Sequence, residues 1–146
     1  MIGGMRVVYS PRVFAVLSLC FFFIGFVSVV GVIAHWQFDS TVEWLFVAYA
    51  TMNILLGVGF WLRERWLLIA VALNCLAYSV LYIGWWASGG DVNVSRIAMS
   101  VAIAGGVWWL VHLNRRHLIG PSRSIVGTAF FLIWILTYSY TFTNII

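Results

Sequence analysis

The sequence predicts an all-α, polytopic integral membrane protein: one domain over residues 1–146, built as a compact bundle of five transmembrane helices with short loops. Three observations predict it. Apolar residues make up 64% of the chain, against about 45–50% in soluble domains. Charged residues make up 8%, where about a quarter is usual. Five apolar runs each reach the roughly 20 residues a helix needs to cross a bilayer. So apolar a chain is not disordered, and it has too little polar surface to coat a globule in water.

The spans run near 13–35, 43–62, 66–87, 96–114 and 124–146. The first contains Val32-Ile33-Ala34, which resembles a signal-peptidase site, but its apolar run exceeds a signal peptide's h-region and is expected to stay. Trp36–Thr41 is expected to break into a loop. Only Arg63-Glu64-Arg65 separates the second and third spans, which predicts an antiparallel hairpin. Gly120-Pro121 stops any extension of the fourth span, and Ser122 or Ser124 opens the fifth.

Charge orients the bundle. All eight cations are Arg. With the N-terminus in the cytoplasm, Arg6, Arg12, Arg63, Arg65, Arg115, Arg116 and Arg123 lie inside and Arg96 lies outside, as the positive-inside rule requires. The acids Asp39, Glu43 and Asp91 then fall outside, as does the C-terminal Asn144-Ile145-Ile146. The expected location is a cell (inner) membrane. Tryptophans mark the borders: Trp36, Trp44, Trp85 and Trp86 at the outer interface, and Trp61, Trp66, Trp108 and Trp109 at the inner one, where an indole keeps its N–H near water. Trp134 falls near mid-bilayer as a packing or lipid-facing residue.

Several polar and small residues stand out. Asn53 and Asn74 lie eleven and ten residues from Glu64, about 15–16 Å at 1.5 Å per residue. Equal depth predicts an intramembrane pair, bonded to each other or shared by a substrate. Ala98, Ala102 and Gly106 repeat at four-residue spacing and form a helix-packing stripe for a neighbour in this chain or another subunit. Gly25, Ser28, Gly31, Gly57 and Gly59 are weaker packing candidates. Thr137, Tyr140, Thr141 and Asn144 give the last span a polar end. Arg115, Arg116 and Arg123 form a basic collar that reads as a topology signal, with lipid head-group binding as the sharper use.

Most membrane chemistries lack their residues. A retinal Schiff base needs Lys, and the sequence has none. Every acid falls in a loop or at a span edge, so no carboxylate is expected mid-bilayer for proton coupling or intramembrane proteolysis. Cys20 and Cys75 form no Cys-x-x-Cys motif and read as small buried hydrophobes. His35 and His112 lie at opposite ends of their spans and cannot share one haem. His35, Asp39 and Glu43 share one face if the helix continues, as a metal site would require.

The leading expectation is a non-catalytic membrane subunit that scaffolds, stabilises or assembles a larger complex. Its partners would be the lipid bilayer and other membrane subunits or further copies of itself, without nucleic acid. The alternatives are a homo-oligomeric channel or facilitator lined by Asn53, Asn74 and the hydroxyl-rich end, and a subunit carrying haem or chlorin on a single ligand, His112 or His35. The sequence itself requires no cofactor.

Overall fold

The computed structural model describes residues 11–39, 44–87 and 94–145. Every regular element among them is helical: α1 (Arg12–Asp39), α2 (Trp44–Leu62), α3 (Leu67–Ala87), α4 (Val94–Leu113), a 3-10 turn (Arg115–His117) and α5 (Ile125–Ile145). Each of the five α-helices overlaps one of the apolar runs, and the 3-10 turn lies between the fourth and the fifth. The expected break beginning at Trp36 does not occur. With no Gly or Pro to interrupt it, α1 runs on to Asp39.

Two stretches, Arg12–Ala34 and Ile125–Thr143, are long and apolar enough to cross a membrane. Only 22% and 28% of their windows are buried within the molecule. Large apolar side chains such as Phe23, Phe26 and Leu136 therefore point outward.

The helix ends follow local chemistry. α2 closes in a Schellman motif: Arg63 N–H donates to Phe60 O at 3.2 Å and Glu64 N–H to Gly59 O at 3.0 Å. The motif needs a left-handed residue, and Arg63 fills that position at φ 53°. For a residue with a Cβ this costs roughly 1–2 kcal/mol relative to glycine. α5 opens on Ser124, whose Oγ accepts Gly127 N–H at 3.0 Å, the expected work of an N-cap serine.

The packing order departs from the sequence expectation. α2 packs against α1 and α5, and α3 packs against α4, while α5 also touches α3. α2 and α3 do not form the expected hairpin pair along their length. They meet at the link, where a Cβ on Gly59 would lie 2.6 Å from the Trp66 ring. The α1–α2 seam is close: Ser18 Oγ donates to Gly57 O at 2.7 Å, and a Cβ on Gly25 would come within 2.7 Å of Ile54. These glycines let two backbones approach closely without aid from hydrophobic transfer. The core around Phe14, Phe60, Trp66, Leu67 and Phe130 gathers near the α2–α3 link.

Candidate functional site

The densest polar arrangement in the described residues lies where two loops meet. Gly120 N–H donates to Arg63 O at 3.0 Å, and Arg65 N–H to Pro121 O at 3.2 Å. Arg65 Nε donates to Leu118 O at 3.2 Å. These bonds clasp the α2–α3 link to the α4–α5 loop, so Arg63, Arg65, Arg115, Arg116 and Arg123 share one end of the bundle. Gly120 permits the contact, since a Cβ there would lie 3.0 Å from Leu62 O and 3.1 Å from Glu64 Cα.

Glu64 closes the clasp from within. It is only 3% exposed. Its Oε2 accepts the indole N–H of Trp66 and the hydroxyl of Ser124 at 3.0 Å. Ser124 therefore works in two directions, capping α5 with one lone pair and donating its proton to Glu64. The carboxylate also sits beside the N-terminus of α5, where the helix macrodipole favours negative charge. Buried carboxylates are tolerated only when hydrogen-bonded in this way.

In the sequence Glu64 reads as a loop residue without a role. Its two partners are Trp66, two residues on, and Ser124, sixty residues on. The only sequence signal was an acid set between two arginines in a link too short to swing away. Trp66 was expected at the membrane interface with its N–H in water. It is instead 2% exposed, packed on Phe130 at a centroid distance of 5.3 Å, with its N–H taken by Glu64. Trp61 and Trp109 are exposed, 64% and 56%.

The sequence-derived candidates fare differently. Asn53 and Asn74 do not bond to each other. Asn53 Nδ2 donates to Tyr49 O of its own helix at 2.8 Å, and Asn74 Oδ1 accepts Trp134 Nε1 at 2.9 Å. Depth along a helix does not choose a side, and α5 packs between the two carboxamides' helices to supply Trp134. Thr137 and Thr141 are buried, 5% and 4% exposed, and Thr141 Oγ1 donates to Thr137 O at 2.8 Å. Tyr140 points outward. The side chain of Asn144 lies outside the described residues.

Ala98, Ala102 and Gly106 are all exposed. A Cβ on Gly105 or Gly106 would meet nothing within 4 Å. Arg115, Arg116 and Arg123 are exposed as well. His112 is stacked on Trp108 at 5.4 Å and Trp109 at 6.4 Å, and its Nε2 lies 3.3 Å from Arg115 Nη1. A guanidinium beside that nitrogen is a poor setting for a metal ligand. His35 and Asp39 lie on α1 with side chains outside the described residues, and Glu43 is outside them altogether. No group of three His, Cys, Asp or Glu able to hold a metal ion occurs among the described residues. Cys20, expected to be buried, is exposed, and Cys75 is half-buried. Comparison with family models, curated proteins and solved structures finds no match for this chain.

Proposed function

We propose that this chain is a non-catalytic subunit of an integral membrane assembly. In this reading it crosses the bilayer five times, with its arginine-bearing end in the cytoplasm and its C-terminus across the membrane. The observation that carries the assembly role is the unoccupied face of α4. Ala98, Ala102 and Gly106 are exposed, and among the described residues nothing stands within 4 Å of where a Gly106 side chain would begin. Met99 and Ile103 beside them are each 62% exposed. Small residues at four-residue spacing let a second helix approach closely, and in lipid such packing drives association.

The gathered arginines support the orientation. The clasp brings five of them to one end, the pattern that holds a membrane protein's loops on the cytoplasmic side. The outward apolar faces of α1 and α5 support lipid contact, since a bilayer accepts surface that water would not. Against the channel alternative, Asn53, Asn74 and Thr141 form hydrogen bonds within the chain, and Thr137 and Thr141 are buried in it, which favours the subunit reading.

Enlarging the α4 face tests the proposal. Ala102→Leu combined with Gly106→Leu is expected to leave thermal unfolding within about 1 kcal/mol of wild type, because no neighbour in the chain is displaced. It is expected to abolish the higher-mass species that wild type forms in mild detergent. Light scattering with size exclusion reads the mass. A wild-type chain that runs as a clean monomer, or a double variant that keeps its assembly, contradicts the proposal.

A further inference from the structure

A second basic feature lies on the α1 side of the arginine-bearing end, apart from the collar of Arg115, Arg116 and Arg123. Here a shallow groove of about 330 Å³ runs between the start of α1 and the α2–α3 link. Its floor includes Phe14 and Phe60, buried members of the core. Arg12 and Arg63 form its cationic walls, and Trp61 stands at its rim. No acid lines it. Arg63 holds its place in a left-handed backbone conformation where glycine is the usual occupant. A residue that accepts such strain is often one whose side chain is needed. Beyond Arg12, the outward face of α1 continues through Val16, Leu19 and Phe23, 59%, 64% and 68% exposed.

We propose that this groove binds the head group of an anionic phospholipid, its phosphate between Arg12 and Arg63 and its acyl chains along Val16, Leu19 and Phe23. The inference rests on the membrane-spanning reading above and adds a specific ligand to it. Charge complementarity selects the occupant: two guanidiniums make bidentate bonds to phosphate oxygens, and the apolar track beside them fits acyl chains and not a soluble anion. Trp61 sits at the level where indoles meet head groups.

The test is native mass spectrometry of the full chain released from vesicles of equal phosphatidylglycerol and phosphatidylcholine. Wild type is expected to carry phosphatidylglycerol adducts in preference to phosphatidylcholine. Arg63→Gly is expected to lower that preference about fivefold, and Arg12→Gln with Arg63→Gly further, at about one such factor per guanidinium. Arg63→Gly relaxes the left-handed residue, so its unfolding temperature should equal or exceed that of wild type, and a lost preference is then not a lost fold. Arg115→Gln with Arg116→Gln should keep the wild-type preference, and millimolar inorganic phosphate should not compete. An unchanged preference in Arg63→Gly overturns the site. An equal fall in the collar variant, or competition by free phosphate, also overturns it. Release of wild type from vesicles by an alkaline carbonate wash is a separate result that rejects the membrane reading itself.

Discussion

Glu64→Ala is expected to destabilise the bundle by about 3 kcal/mol, because it leaves the buried Trp66 N–H and the half-buried Ser124 hydroxyl without their acceptor, at a cost of roughly 1–3 kcal/mol for a buried donor and less for the other. The Trp66 indole N–H and the Ser124 hydroxyl both bond to the same carboxylate oxygen, and the bonds between the α2–α3 link and the α4–α5 loop close around it. Glu64→Gln keeps an acceptor oxygen and should lose about half as much. Ser124→Ala removes one partner and the α5 cap together, a loss of about 1–2 kcal/mol. Tryptophan fluorescence during unfolding in detergent checks the series. The predicted order puts alanine at 64 first, with alanine at 124 and glutamine at 64 together below it. A Glu64→Ala variant as stable as wild type would show that the clasp contributes nothing.

The second large effect centres on the slot that holds Trp66. A Cβ at Gly59 would lie 2.6 Å from ring carbon Cζ2, and one at Gly127 would lie 2.8 Å from Cδ1 and Cγ. The indole is thus pressed between α2 and α5 by two glycines. Gly59→Ala and Gly127→Ala should each cost about 1–3 kcal/mol by overpacking, and Trp66→Ala about 3–5 kcal/mol by leaving a cavity. The geometry also separates the two glycines. Gly59 faces the distal part of the indole, which phenylalanine lacks. Gly127 faces the part nearest the backbone, which phenylalanine keeps. Added to Gly59→Ala, Trp66→Phe should relieve the clash, so the double variant is more stable than the sum of the singles. Added to Gly127→Ala, it should give no relief. Double-mutant cycles on unfolding free energies measure this. Equal coupling in both pairs would mean that the ring does not sit as described.

The helices were legible from sequence because each is a long apolar run stopped by charge, by Gly-Pro, or by a serine cap. Ser124 opens α5 as that chemistry requires. Which helix lies beside which was not legible. A helix apolar on all sides marks no face for its neighbour, so the short Arg63–Arg65 link reads as a hairpin pair, while α5 packs on both helices that the link joins. The same gap explains Asn53 and Asn74. Their equal depth was a property of the chain, but the partner of Asn74 is Trp134, sixty residues away. The small residues of α4 are legible as a stripe, and the structure adds that nothing among the described residues covers the glycines there. Glu64 was hidden for a different reason. A carboxylate in a polar loop reads as solvated, and its burial depends on a second loop folding over it, a long-range event that leaves no local trace.

The most direct measurement is the location of the C-terminus. Paired reporters fused after Ile146, alkaline phosphatase in one fusion and a fluorescent protein in the other, read it in intact cells. Five crossings from a cytoplasmic start predict an active phosphatase and a dark fluorescent protein. A fluorescent fusion with inactive phosphatase would mean an even number of crossings, and both the arginine-based orientation and the bilayer setting of the α4 face would then fail.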